Sequence, residues 1–225
     1  MAIRKAGIVK AQLHLAASDP VLERLVADIG PCTLRFEPNR FASLARSIIS
    51  QQISTKAALA IRTRLEATLD GRGITPAALL ALSDAALRSA GLSASKQKSL
   101  RDLARHVHAR MVPLDAIHEL DDDEVIAALL PIRGIGRWTA QMFLIFSLGR
   151  PDVLPVDDLG LRAAVQVQYG LSELPDKARL VELAEPWRPY RSVATWYFWR
   201  SRGFVPQSGN DDSAPKNSNK IPRAI

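Results

Sequence analysis

A single cysteine, Cys32, excludes an intrachain disulfide and any cysteine-rich metal site. Histidine is nearly as sparse: His14, His106, His108 and His118 are scattered. His106 and His108 stand two apart on a helical pattern and point to different faces, so no transition-metal site is expected. No apolar run is long enough to cross a bilayer. Lys10 and His14 interrupt the stretch after Arg4 and Lys5, so no signal peptide is read there. Alternating apolar strands and repeats at solenoid periods are missing as well. Aromatic residues make up only 6% of the chain, so the position of each tryptophan carries information.

What the chain has is helical periodicity. Its 225 residues can bury a core as one domain or as two closely packed lobes. Ser18-Asp19-Pro20 reads as a cap with proline at the first helical position, followed by a stripe of Val21, Leu22, Leu25, Val26 and Ile29 that Gly30 ends. Phe41, Leu44, Ala45, Ile48 and Ile49 mark the next helix, and Ser54 caps another through about Leu69. Thr75-Pro76 and Ser83-Asp84 start two short helices, and Ser95 opens a longer one with Leu100, Leu103, Val107 and Met111 inward. Two more follow near 176–185 and 190–202, and only 31–37 reads as extended. The predicted class is all-α. Residues 1–17 are read as an N-terminal extension, 18–204 as the helical domain, and the polar residues 205–225 as a disordered tail.

One stretch points beyond packing. Asp121, Asp122 and Asp123 suit a helix N-terminus, and Val125, Ile126, Leu129 and Leu130 continue it at helical spacing until Pro131. Arg133-Gly134-Ile135-Gly136-Arg137 is a tight turn, and a second helix starts straight after it, giving a hairpin over 122–148. Gly134 and Gly136 permit backbone angles that other residues avoid, and they leave room for close approach by another backbone. The free amides of about residues 134–139 form a natural anion site. Leu154-Pro155-Val156-Asp157-Asp158 follows, with two carboxylates at the start of a helix that Gly170 ends. Thirty Lys and Arg against 23 Asp and Glu give a net charge of +7, which favours an anionic partner.

Leu130-Pro131-x-x-Gly134-Ile135-Gly136-x-Trp138-Thr139-Ala140, with Pro155-Val156-Asp157-Asp158 beyond it, resembles the helix–hairpin–helix DNA glycosylase superfamily, most nearly its 3-methyladenine DNA glycosylase II branch. Ile48-Ile49-Ser50-Gln51-Gln52-Ile53-Ser54 resembles the glutamine-rich segment that this branch places at the lesion. Trp187-Arg188-Pro189-Tyr190-Arg191-Ser192 resembles its C-terminal signature, and Trp199 stands where the branch has a base-pocket aromatic. The four matches fall in the family's order over roughly residues 35–203.

The resemblance implies a two-lobed helical fold with a DNA cleft between the lobes. It implies a glycosylase that flips an alkylated base, of the 3-methyladenine or 7-methylguanine type, out of duplex DNA and hydrolyses its N-glycosidic bond, leaving an abasic site for base excision repair. Asp158 would be the catalytic carboxylate. Counting back from Leu161-Arg162 selects Asp158, whereas counting from Val156 allows Asp157. Relatives that also cut the backbone carry a lysine at the position of Trp138; tryptophan cannot form a Schiff base, so a monofunctional enzyme is implied. Trp138, Met142 and Trp199 would line the base pocket, with Met142 where an aromatic is usual, and Trp138 and Trp199 would hold the base between their faces. Gln51, Gln52, Gly134, Gly136, Arg137 and Thr139 would contact DNA, Gln52 occupying the place of a leucine wedge. The carbonyls of Leu130, Arg133 and Ile135 would hold a structural Na+ or K+. No cofactor is required, and one cysteine excludes the four-cysteine iron–sulfur cluster of some relatives. A monomer acting on damaged double-stranded DNA, away from membranes, is expected. Its place would be the cytoplasm, on the nucleoid in a bacterium. A non-catalytic hairpin DNA-binding module, and a glycosylase for deaminated or oxidised bases, are the alternative readings.

Overall fold

The computed structural model describes residues 5–203, which form twelve α-helices and one 3-10 turn, with no strand among them. In chain order the helices are α1 (Lys5–Ser18), α2 (Pro20–Ile29), α3 (Arg40–Ser50), α4 (Thr55–Thr68), α5 (Pro76–Ala81), α6 (Asp84–Ser89), α7 (Ala94–His108), α8 (Asp122–Leu129), α9 (Arg137–Phe146), α10 (Leu159–Tyr169), α11 (Lys177–Leu183) and α12 (Arg191–Ser201). The 3-10 turn spans Glu185–Trp187. Among these helices, none is long and apolar enough to cross a membrane.

Local chemistry sets the helix starts. Asp19, Asn39, Ser54, Thr75, Ser83, Ser93, Asp121, Asp158 and Asp176 each sit just before a helix and accept a hydrogen bond from a first-turn amide. α7 therefore begins from Ser93, not from Ser95, and it ends at His108. Met111, expected inward on that helix, lies beyond its end and is 66% exposed. The segment 31–37 joins no sheet; its only ladder-like contact is Glu37 N–H donating to the Phe146 carbonyl at 2.8 Å.

The helices sort into two groups. α3 to α7 pack on one another, with α7 against both α3 and α5. α1 packs on α2, α12 and the 3-10 turn, and α12 packs on α2 and α10. The hairpin pair α8–α9 leans on the first group through α9 and α3. The segment read as an extension is, from Lys5 on, part of the second group. Ile8, Ala11 and Leu15 bury one side of α1, which no cap or glycine in the sequence announces. The tail expected over 205–225 lies outside the described residues.

Two helices are enclosed on every side. Residues 139–146 of α9 and 192–199 of α12 are all buried, so their neighbours fix their rotation, not a polar face. A buried network fastens the second group. The Asp19 carboxylate caps α2 through Val21 N and Leu22 N, and it also accepts from the Tyr169 hydroxyl and from Trp187 Nε1 at 3.1 Å. Burial and the Asp19 charge push the Tyr169 phenol well above its ordinary range.

Candidate active site

The hairpin is built as its residues dictate. α8 starts from a capping box in which Asp121 Oδ1 accepts from Glu124 N and Glu124 Oε2 accepts from Asp121 N, both at 2.8 Å. After Leu129 the chain tightens through Ile132 N–H to the Leu129 carbonyl and Ile135 N–H to the Ile132 carbonyl. The two glycines serve different ends, and only Gly134 uses the freedom of angle that glycine permits. Gly134 has φ +83°, and a Cβ on it would stand 2.7 Å from Ser99 Oγ. Gly136 has φ −99°, backbone that any residue adopts, and a Cβ there would meet open space. It is the N-cap of α9 and brings no side-chain cap, so the first-turn amides find no acceptor on the cap residue's side chain. Arg137 is exposed beside them and lies 3.7 Å from Asp123. Thr139 is 5% exposed, so its side chain packs inward, and what it can offer a phosphate is its backbone amide in the first turn of α9.

Asp158 is the N-cap of α10, and the residue is only 6% exposed. Its Oδ1 accepts from Leu161 N at 2.6 Å and from Trp199 Nε1 at 3.4 Å, and its Oδ2 accepts from Trp138 Nε1 at 2.7 Å. One carboxylate is thus held by an amide of its own helix, an indole of α9 and an indole of α12. Asp157 faces the other way. It forms an ion pair with Lys177 at the start of α11 and is partly exposed. Between the two carboxylates left open by the sequence, the structure places Asp158 beside the aromatic pocket residues and Asp157 at the surface.

The tryptophans do not form the expected sandwich. Trp138 is 38% exposed, but Trp199 is 1% exposed and already stacks on Phe146 at 5.9 Å between ring centroids. Trp199 reaches the site through its N–H, not its face. Met142 is buried one turn beyond Trp138.

Gln51 is the C-cap of α3, and its Nε2 donates to the Gly134 carbonyl at 2.8 Å. Gln52 is exposed with φ +56°, at the head of a turn that also leaves Ile53 partly exposed. Beside this turn, Lys96 Nζ donates to the Ile49 carbonyl at 2.5 Å, and burial lowers the pKa of its ammonium.

The C-terminal signature proves to be scaffolding for the Asp158 loop. Arg191 grips both carboxylate oxygens of Asp152 at 2.7 and 2.9 Å, and Arg188 adds a contact at 2.8 Å. Ser192 Oγ donates to the Arg150 carbonyl at 2.7 Å and accepts from Val153 N at 2.9 Å. Residues 150–153 are therefore tied to α12 just before the chain reaches Asp158. Nothing in Asp152 or Asp19 as isolated residues signals these roles; only a pairing of distant segments does.

Comparison with known proteins identifies the family. The family of HhH-GPD superfamily base excision DNA repair proteins matches residues 45–189. The chain belongs to this superfamily. Among HhH-GPD relatives, DNA-3-methyladenine glycosylase 1 of Schizosaccharomyces pombe is 34% identical over 204 residues, 87% of this chain and 88% of that one. A solved structure of the S. pombe 3-methyladenine DNA glycosylase in complex with abasic DNA superposes with a TM-score of 0.77 at 34% identity, covering 87% of this chain and 98% of the other. A DNA-3-methyladenine glycosidase from Bacillus halodurans gives a TM-score of 0.77 at 38% identity, covering 85% and 89%. The all-helical HhH glycosylase fold expected from the sequence is the fold observed.

Proposed function

We propose that the protein is a monofunctional DNA glycosylase that excises alkylated bases, of the 3-methyladenine and 7-methylguanine type, from duplex DNA. The observation that carries this is the Asp158 carboxylate, buried and held by three N–H donors beside the half-exposed ring of Trp138. Names of the relatives support the substrate class.

The chemistry follows from that arrangement. A base inside a duplex is out of reach, so the target nucleotide must leave the stack. Alkylation at a ring nitrogen leaves a purine cationic and makes it a better leaving group. The half-exposed indole of Trp138 attracts such a cation more than a neutral base. As the C–N bond breaks, the base takes the bonding electron pair and positive charge grows on the sugar. Asp158 stabilises that charge and orients the water that adds to the sugar carbon, and its carboxylate takes the proton that this water gives up. The indole N–H groups and Leu161 N fix the direction of the carboxylate before substrate arrives. Trp138 has no amine, so no covalent sugar adduct forms there, and Lys96 is engaged by the Ile49 carbonyl instead.

The hairpin supplies grip. The uncapped amides at Gly136 and the charge of Arg137 suit a DNA phosphate. The carbonyls of Leu130, Arg133 and Ile135 fit a monovalent cation, because the turn's own hydrogen bonds use Leu129 and Ile132 instead. A Na+ or K+ held there would supply positive charge that attracts a phosphate. The protein would act as a monomer on double-stranded DNA in the cytoplasm, with the cleft between its helix groups receiving the duplex.

The test is base release from methylated duplex DNA by the wild type and Asp158→Asn in parallel. Release by the wild type alone, with DNA binding kept by the variant, is the expected result. An Asp158→Asn enzyme with full activity removes Asp158 from the mechanism, and binding without release by either protein leaves a hairpin DNA-binding module.

A further inference from the structure

The hairpin that would grip the phosphate and the Gln51–Gln52 turn that would meet the lesion lie 80 residues apart in sequence, and both rest on one face of α7. Lys96, Ser99 and Asp102 recur at three-residue spacing, which puts them on one side of that helix. Lys96 Nζ donates to the Ile49 carbonyl in the last turn of α3. Ser99 is buried directly under Gly134, so close that only a glycine fits. Asp102 Oδ2 accepts from the backbone N–H of Arg133 at 2.8 Å. Gln51 Nε2 closes the ring by donating to the Gly134 carbonyl. A carboxylate beside a surface meant for phosphate is electrostatically unfavourable unless it has a structural task. Here Asp102 has one: it is the acceptor for the Arg133 amide.

We propose that α7 is a brace that sets the phosphate-gripping hairpin and the lesion-probing Gln51–Gln52 turn in one register, with Asp102 as its positioning residue. This rests on the glycosylase reading above. Docking the hairpin on a phosphate then fixes where Gln52 meets the duplex, and flipping follows from binding without a separate search. Loosening the brace lowers the rate of excision on bound DNA as well as affinity, because the two turns no longer meet the duplex together.

The experiment compares Asp102→Ala, Asp102→Asn, Gln51→Ala and the double variant Gln51→Ala with Asp102→Ala. Each is measured for single-turnover base release at saturating methylated duplex, affinity for that duplex, melting temperature, and amide hydrogen exchange at Arg133 and Gly134. Asp102→Ala is expected to slow single-turnover release by about tenfold, the scale of one hydrogen bond to a charged acceptor. Asn keeps an acceptor oxygen, so Asp102→Asn should recover most of that loss. The double variant should be no more than about twofold worse than the poorer single variant, because the two contacts hold adjacent residues of one turn and either loss frees the same register. Equal defects in Ala and Asn, or fully additive losses, overturn the brace. So does a lowered melting temperature with an unchanged release rate per folded molecule. If the wild type releases no base from any duplex, the glycosylase reading fails, and exchange at Arg133 then decides the brace: faster in Asp102→Ala and restored in Asp102→Asn if it stands, unchanged in both if it does not.

Discussion

Replacing Trp138 with phenylalanine separates two tasks of one side chain. Phenylalanine keeps an aromatic face for a cationic base but has no N–H to give Asp158. The lost bond is 2.7 Å long and runs to a carboxylate that is 6% exposed. A hydrogen bond to a charged group contributes about 1.5–3 kcal/mol. Trp138 itself is 38% exposed, so water can take the vacated place, and the lower end of that range applies. About 1.5 kcal/mol lost from the transition state corresponds to roughly tenfold in rate. Leu161 N and Trp199 Nε1 still hold Oδ1, so the carboxylate swings about one fixed oxygen and is not released. The assay is single-turnover release of 7-methylguanine at saturating duplex, which removes affinity from the comparison. Trp138→Ala, losing both face and donor, should fall further. If Trp138→Phe releases base at the wild-type rate and only Trp138→Ala is slow, the indole N–H has no part in orienting Asp158 and the stacking face alone matters.

Gly134→Ala and Gly136→Ala should part company. Alanine at Gly134 must hold a φ of +83° with its Cβ 2.7 Å from Ser99 Oγ, so thermal unfolding should show a loss of about 2 kcal/mol or more. Alanine at Gly136 should leave the melting temperature unchanged and weaken binding to any duplex, measured by fluorescence anisotropy, because the methyl stands where the phosphate comes. Asp19→Ala takes the acceptor from the Tyr169 hydroxyl, leaves Trp187 Nε1 only that hydroxyl at 3.2 Å and removes the cap of α2; it should cost about 3 kcal/mol, a fall of roughly 10 °C in melting temperature, without touching the site. Burial pushes the Cys32 thiol up from 9.0 to about 12, so at pH 8 it should react with iodoacetamide about a thousandfold more slowly in the folded protein than in urea. The same shift means the unfolded chain loses its proton first. Its contribution to stability is complete below pH 9 and declines as pH rises from 9 toward 12, which urea titrations across that range would show.

How far the sequence could be read depended on whether a role was local. Caps are local: Asp19, Ser54, Thr75, Ser83, Asp121 and Asp158 each announce a helix within three residues, and each does cap one. The start of α7 was misplaced by two residues because Ser93 and Ser95 are chemically alike, and only Ser93 Oγ meets the Lys96 amide. α1 has no such signal. Its place in the core comes from Ile8, Ala11 and Leu15 meeting helices far along the chain. The site divides in the same way. The twenty residues from Trp138 to Asp158 pointed to a shared site, yet the direction of Trp199 was not legible, since α12 is buried all round and periodicity cannot say which wall each ring meets. Asp102 was invisible for the same reason. An aspartate midway along a helix with Arg105 and His106 a turn away reads as a solvated surface pair. Only the chain's return at Arg133 turns it into the acceptor for a hairpin amide. In the proposed reading one turn probes DNA and another grips it, and a third element must join them. That element carries no chemistry of its own, so it leaves no motif, and only the fold reveals it.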